Sequence, residues 1–120
     1  MNTSLEREVD QLHAEICAGL AEPTRILILY ELADRPRNVT ELANDLHLSQ
    51  PLVSRHLKVL RDRGMVTATR LGATVEYQLG DRRLIEALDL LRAILRDGLT
   101  RRAGLVTVLE NESPSAKETE

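Results

Sequence analysis

A stretch near the middle of the chain places hydrogen-bonding and cationic side chains at spacings that suit nucleic-acid binding. Residues 48–64 read LSQPLVSRHLKVLRDRG, in which Val53, Leu57 and Leu60 recur as on the buried side of a helix. The opposite side carries an amide, a hydroxyl and three cations: Gln50, Ser54, Arg55, Lys58 and Arg61. Such groups bond base edges and neutralise phosphates, so this side predicts a DNA-binding surface.

Signals at both ends of this stretch predict the bounds of a recognition helix. Ser49 is a residue type that caps a helix by accepting a bond from a backbone N–H, and Pro51 suits the first turn. Gly64 predicts the end of the helix. A short turn at residues 47–49 follows a third helix, which we expect Thr40 to cap, and two helices joined this closely predict a helix-turn-helix.

The surrounding pattern predicts four further elements. A first helix spans residues 4–20, and a second begins at Pro23 and is apolar nearly all round, so we expect it to be the most buried helix. Beyond the recognition helix, residues 65–71 and 74–79 flank a Gly72–Ala73 turn as a β-hairpin. A long last helix runs from about residue 81 to about Arg102. This order predicts a mainly α (α+β) winged helix-turn-helix.

Two helices of this arrangement keep apolar stripes that one small domain does not need to cover. The first helix carries Leu5, Val9, Leu12 and Ile16, and the last carries Leu84, Leu88, Leu91 and Leu95. Pairing with a second copy would bury both stripes, so we expect a homodimer through the first and last helices. We expect one DNA-binding and dimerisation domain over residues 1–103 and a polar, disordered tail over residues 104–120.

The charge of the chain is concentrated where the recognition helix lies. The formal net charge is −3, yet residues 35–83 contain nine basic and five acidic residues, a net +4. Phosphate binding needs a locally cationic surface, so double-stranded DNA is the expected partner. At 120 residues the chain has room for one small domain but not for a separate catalytic domain.

Composition also bears on compartment. No apolar run approaches the roughly 20 residues that span a bilayer, and the first residues lack a secretory signal pattern. A single cysteine, Cys17, excludes an internal disulfide, which agrees with a reducing compartment. We therefore expect a cytoplasmic protein with no membrane partner.

Three segments together resemble the ArsR/SmtB family of transcriptional regulators. They are LAEPTRILIL at 20–29, VTELANDLHLSQPLVSRHLKVLRDRGMV at 39–66 and VEYQL at 75–79. The resemblance covers roughly residues 5–100. It implies a homodimeric repressor, not an enzyme, that sits on an operator and leaves it when a metal or another inducer binds.

The usual inducer sites of that family are not matched in this sequence. The cysteine pair at the start of the third helix corresponds to Asn38, Val39 and Thr40, so no thiolate remains. The zinc ligands of the last helix correspond to Asp81, Arg83, Ile94 and Asp97, and neither Arg nor Ile can bind zinc. We therefore assign no metal or other cofactor and leave a small inducer unidentified.

Several side chains are expected to contact DNA in distinct ways. Gln50, Ser54 and His56 would read base edges, whereas Arg55, Lys58 and Arg70 would neutralise phosphates. The wing sequence LGAT at 71–74 lacks the basic residue common at such a tip, so we expect weak wing contact. The full set of expected contacts is Thr40, Ser49, Gln50, Pro51, Ser54, Arg55, His56, Lys58 and Arg70. A merely solvated helix face is the alternative interpretation.

Cys17 lies one helical turn after His13, near the expected dimer interface, and three interpretations stay open. Cys17 is a small buried hydrophobe, or a thiol sensor that is alkylated, oxidised or joined to a second copy, or a metal ligand together with His13. A catalytic Cys–His pair would also need a substrate pocket and oxyanion donors, which nothing in the sequence supplies. A winged helix that binds protein instead of DNA is disfavoured by the lack of aromatic anchors.

Overall fold

A computed structural model describes residues 3–112, and the side chains of residues 3–104. The elements are α1 (Thr3–Gln11), a π-helical segment (Leu12–Cys17), α2 (Pro23–Asp34), α3 (Val39–Leu46), α4 (Gln50–Asp62), β1 (Val66–Leu71), β2 (Thr74–Leu79) and α5 (Arg83–Glu112). This order confirms the predicted mainly α winged helix-turn-helix. The chain divides into two compact units, residues 1–85 and 86–120, so the predicted boundary at residue 103 lies inside the second unit.

The core of the first unit is aliphatic, as the lack of Phe and Trp requires. Val53, Leu57 and Leu60 of α4 are fully buried, which confirms the inner seam of the recognition helix. They share the core with Ile28, Leu29, Leu42, Met65 and Val66. α2 exposes three of its twelve residues and α4 exposes seven of its thirteen, so the prediction that α2 is the most buried helix is confirmed, although Leu27 is 53% exposed.

Side-chain caps define the helix-turn-helix. The predicted cap of α3 by Thr40 is wrong, because Asn38 Oδ1 accepts from Glu41 N (2.8 Å) while Glu41 Oε1 accepts from Asn38 N (2.9 Å). This capping box satisfies two backbone donors at once, which no bond from Thr40 could do. The predicted cap of α4 is confirmed, since Ser49 Oγ accepts from Leu52 N at 3.3 Å.

The wing is the predicted two-stranded hairpin. β1 and β2 pair antiparallel with Leu71 opposite Thr74, and Gly72 has a φ of +62°, which glycine adopts without strain at the first turn position. Arg37, in the connector before α3, exchanges two backbone hydrogen bonds with Tyr77 of β2, at 3.0 and 2.8 Å. The connector therefore ties the start of the helix-turn-helix to the wing.

The first and last helices both depart from expectation. The predicted helix over residues 4–20 is interrupted by the π-helical segment, in which Ala18 N donates to His13 O, five residues earlier. α5 continues to Glu112 instead of ending near Arg102, since the sequence LVTVL at 105–109 prolongs the apolar pattern beyond Gly104. Of the predicted tail, residues 113–120 lie outside the described residues.

Within residues 3–112, no helix combines the length and the apolar character that a membrane span requires.

Candidate nucleic-acid interface

The outer side of α4 is a continuous polar surface. The inner seam fixes one side of this helix in the core, so the side chains on the opposite side face solvent. The predicted contacts that are exposed on it are Gln50, Pro51, Ser54, Arg55 and Lys58, with Ser49 at its N-cap. Thr40 on α3 and Arg70 on β1 are also exposed. The structure therefore makes eight of the nine predicted contact residues accessible to DNA.

One cation of this surface is already engaged. Lys58 Nζ lies 3.1 Å from Asp62 Oδ2 one turn later on α4, and both side chains are well exposed. The spacing of four residues on one helix predicts this ion pair from the sequence. A phosphate that binds Lys58 therefore competes with the Asp62 carboxylate for this ammonium group.

Replacing Asp62 by asparagine should strengthen binding to any duplex DNA by about two- to fivefold. The expected size follows from the 0.2–1 kcal/mol typical of an exposed ion pair, together with the loss of one negative charge from the surface. Fluorescence anisotropy with a labelled duplex measures this gain, and Asp10→Asn, an exposed acid on α1, is the charge-matched control. An equal gain in the control would show that only total charge matters.

His56 differs from the other predicted contacts because its ring is half-buried. His56 Nδ1 lies 3.2 Å from Arg25 Nη1. Burial lowers the pKa of His56, and the positive charge of Arg25 lowers it further, against the opposing effect of Glu22. The neutral ring can accept a hydrogen bond from Arg25 through Nδ1, so one of its two nitrogens is used inside the protein and not on the exposed side with Gln50 and Ser54.

The lowered pKa of His56 gives a prediction for stability against pH. An unfolded histidine has a pKa of about 6.5, and the folded chain favours the neutral ring, so the stabilisation is complete above that value. It is lost as the pH falls through about 6.5 into the lowered pKa of the folded state. Urea unfolding between pH 7.5 and 5.5 should show this loss, and His56→Gln should reduce the slope, whereas exposed His13→Gln should not.

A buried arginine that sequence reasoning missed joins α3 to α2 and to the wing. Arg37 is only 7% exposed, and its guanidinium donates to Glu31, to Asp34 (2.8 Å) and to Asp45. Burial alone would lower the pKa of Arg37, but the surrounding carboxylates outweigh it and raise the pKa. Since these carboxylates lie on α2 and α3, Arg37 joins both helices to the connector that pairs with the wing.

The residues at the two family metal positions do not fit a zinc site. The Asn38 side chain is used as the cap of α3. Asp81 accepts from Arg83 Nη2 (2.7 Å) and Arg83 N (2.9 Å), and these bonds lower its pKa to about 2. Neither Arg83 nor Ile94 offers a ligand atom. Among the described residues, no group of three or more His, Cys, Asp or Glu could hold a metal ion.

Cys17 is a free, exposed thiol in the chain. In the single chain this thiol is not buried, so the interpretation as a small buried hydrophobe requires a second copy to cover it. His13 is exposed as well, and both residues lie within the π-helical segment. The alternation of residue types in this stretch carries no signal that distinguishes a π-helical turn from an α-helical one.

Comparison with known proteins agrees with this architecture. Residues 22–68 match the family model described as bacterial regulatory protein, arsR family. Over 83 residues the chain is 41% identical to the HTH-type transcriptional regulator CmtR of Mycobacterium bovis. The matched region covers 68% of this chain and 70% of CmtR. The chain belongs to the arsR family. This membership confirms the resemblance drawn from the sequence and places the chain among regulatory proteins, not enzymes.

Other arsR-type relatives extend the comparison. The chain is 45% identical over 78 residues to the HTH-type transcriptional repressor SmtB of Mycobacterium tuberculosis, with 65% of this chain and 58% of SmtB covered. The match thus spans less than two thirds of that relative. The crystal structure of NolR from Sinorhizobium fredii superimposes with a TM-score of 0.69 and 30% identity, over 78% of this chain and 93% of NolR.

Proposed function

We propose that this arsR-family protein is a cytoplasmic, sequence-specific transcriptional repressor that binds operator DNA as a homodimer. The observation that carries the proposal is the exposed polar side of α4, held in place by a fully buried inner seam. A helix fixed in this way can present amide, hydroxyl and guanidinium groups to the edges of bases in a major groove. A relative bears the name of a transcriptional repressor, which supports repression over activation.

The wing contributes less to binding than α4 in this proposal. Its tip is formed by Leu71, Gly72 and Ala73, of which Leu71 is 51% exposed and none is charged. Arg70 is exposed beside this tip and is the wing cation that we expect to reach a phosphate. We therefore expect the wing to make one phosphate contact, through Arg70.

Exposed apolar side chains on two helices support the homodimer. On α1 and the following π-helical segment, Leu5, Val9 and Leu12 are each close to half exposed. On α5, the exposed apolar side chains are Leu90, Leu91, Ile94, Leu95 and Leu99. Apolar surface of this extent is rare on a monomer and is buried when two copies associate. One structural neighbour is described as a homodimeric winged helix-turn-helix DNA-binding domain.

Selection from a random duplex library, followed by anisotropy on the selected and a scrambled sequence, tests the proposed function. We expect the selected site to bind at least a thousandfold more tightly than the scrambled duplex at moderate salt, and to show approximate two-fold symmetry. Equal affinity for the two duplexes would contradict the proposal.

A second candidate function is release from DNA through chemistry at Cys17. The observation that favours it is the exposure of this thiol, four residues after an exposed His13. Zinc, cadmium, arsenite and peroxide are titrated in turn into the complex with the selected site. Release by one of these reagents in the natural protein and not in Cys17→Ser would establish sensing at Cys17, and release by none would leave Cys17 without this role.

A further inference from the structure

The N-terminal helix, which comprises α1, the π-helical segment and residues 18–19, is attached to the rest of the first unit in an unusual way. Neither α1 nor the π-helical segment buries a single residue. Four main-chain carbonyls between residues 14 and 19 nevertheless accept hydrogen bonds from arginine side chains of α2 and the end of α4. These polar contacts therefore attach the helix although no residue of α1 or of the π-helical segment is buried.

The first of these arginines is Arg25, near the start of α2. Its Nε donates to Gly19 O at 2.8 Å and its Nη2 donates to Ala18 O at 3.3 Å. The remaining nitrogen, Nη1, faces His56 Nδ1 in the middle of the recognition helix. One guanidinium thus bonds the end of the N-terminal helix and α4 at the same time.

The second is Arg63, which directly follows α4. Its Nη1 donates to Ala14 O and to Glu15 O, the latter at 3.2 Å. These carbonyls lie within the π-helical segment, where the hydrogen-bonding pattern of the α-helix is shifted by one residue. Arg63 therefore fastens the C-terminal end of the recognition helix to the irregular part of the N-terminal helix.

Packing at Gly19 brings the same two regions into close contact. A Cβ atom added to Gly19 would lie 2.6 Å from Met65 Sδ, closer than Cβ atoms approach other atoms in proteins, and 3.1 Å from Arg63 Cδ, which is tighter than most such contacts. Met65 is fully buried. The absence of a side chain at residue 19 thus lets the end of the N-terminal helix lie directly against Met65 and the stem of Arg63.

We infer that Arg25 and Arg63 are positioning residues that fix the N-terminal helix to the recognition helix and thereby set the orientation of the recognition helix in the dimer. The inference rests on the proposed function, in which α1 lies at the dimer interface and α4 in the major groove. Loss of the hydrogen bonds of either arginine lets α4 rotate relative to the α4 helix of the second copy. Specific binding needs both recognition helices in register with the DNA, whereas non-specific binding does not.

The geometry distinguishes the two arginines by their response to lysine. Arg25 uses three different nitrogens toward three partners, which a single ammonium cannot replace. Arg63 uses one nitrogen toward two neighbouring carbonyls, which an ammonium with three donors can replace. We therefore expect Arg63→Lys to restore what Arg63→Gln loses, and Arg25→Lys to behave like Arg25→Gln.

The test uses the full chain and compares these variants with Arg82→Gln. Arg82 is a matched control, because it also donates to a distant main-chain carbonyl, Ala33 O at 3.4 Å, without touching the N-terminal helix. Amide hydrogen exchange of residues 14–20 and 56–65 is measured on free protein. Affinity for the selected and scrambled duplexes, and its salt dependence, is measured below the unfolding temperature of every variant.

In Arg63→Gln we expect faster exchange in both segments and about tenfold weaker binding to the selected site. Binding to the scrambled duplex and the salt dependence should stay unchanged. Unchanged exchange would overturn the inference. An equal loss of affinity for both duplexes, with a reduced salt dependence, would also overturn it, because Arg63 would then be a direct phosphate contact. The exchange measurement does not depend on DNA, so it tests whether Arg63 fixes the N-terminal helix to α4 even if no specific site is found. If Arg25→Gln does not fold, Arg63→Gln and Arg63→Lys still provide this test.

Discussion

Replacing Arg55 by alanine should weaken binding to the selected DNA site by about tenfold to a hundredfold. Arg55 is exposed near the centre of the polar side of α4, between Ser54 and the half-buried His56. A guanidinium in this place bonds either a guanine edge or a phosphate, and one such contact is typically worth 1–3 kcal/mol. The loss is measured as the change in dissociation constant at fixed salt.

The control for Arg55 must remove one positive charge elsewhere on the first unit. Arg35→Ala serves this purpose, since Arg35 is exposed in the connector after α2, where its Nη1 lies 3.7 Å from Glu41 Oε2. We expect less than a twofold change in this control. A comparable loss in both variants would show that binding depends on total charge, and the proposed role of α4 would then be incorrect.

The dependence of binding on salt separates the two kinds of contact that Arg55 can make. A phosphate contact lowers the slope of log K against log salt by about one when it is removed, whereas a base contact leaves the slope nearly unchanged and relaxes specificity at one position. Both outcomes place Arg55 on DNA. An unchanged affinity, slope and specificity would remove it from the interface.

Replacing Arg37 by glutamine should destabilise the protein by about 2 kcal/mol, the largest stability change that we expect from a single polar substitution. Breaking a buried ion pair typically costs 3–5 kcal/mol, because the partner is left without its counterion. Here the side chains of Glu31, Asp34 and Asp45 are 33%, 72% and 39% exposed, so water recovers part of that cost. Urea unfolding at pH 7 measures the change.

Two comparisons make the result for Arg37 specific. Arg35→Gln removes an exposed arginine two residues away and should cost less than about 0.5 kcal/mol. Arg37→Lys keeps the charge but cannot reach three carboxylates with a planar fork, so its stability should lie between those of the natural protein and Arg37→Gln. Equal stability of the Arg37→Gln and Arg35→Gln variants would mean that the buried cluster contributes nothing.

These polar contacts give the small aliphatic core a definite arrangement. Buried Leu, Ile and Val side chains stabilise the helix-turn-helix but tolerate several relative angles, since apolar contacts are not directional. The hydrogen bonds of Arg37 join α2, α3 and the wing, and those of Arg25 and Arg63 join α4 to the N-terminal helix. Directional bonds at these positions orient α4 relative to the N-terminal helix, and α3 relative to α2 and the wing.

Local pattern was sufficient to predict the elements and the polar side of the recognition helix. The seam of Val53, Leu57 and Leu60, the cap at Ser49 and the Gly72 turn all depend on residues within four positions of each other. A helix or a tight turn is formed by contacts at this separation, so the sequence contains the necessary information. The capping box of Asn38 and Glu41 and the Lys58–Asp62 pair were equally local and could have been read.

Other features could not be read from neighbours in the sequence. Arg63 bonds carbonyls 48 and 49 residues away, and Arg25 approaches His56 across 31 residues. From the sequence alone, these arginines are cations like Arg55 and are equally suited to bind DNA. The composition of residues 35–83 correctly indicates a basic segment, yet it does not say which of its charges remain free.

The sequence by itself thus determined the fold, the family and the side of α4 that faces solvent, because periodicity and capping act over single turns. Only the tertiary structure decided which polar residues are used internally: Arg37 among three carboxylates, Arg25 and Arg63 on the N-terminal helix, and His56 beside Arg25. The physical reason is that a charged side chain is bound inside or left in water according to the acceptors that the fold brings within hydrogen-bond distance of it.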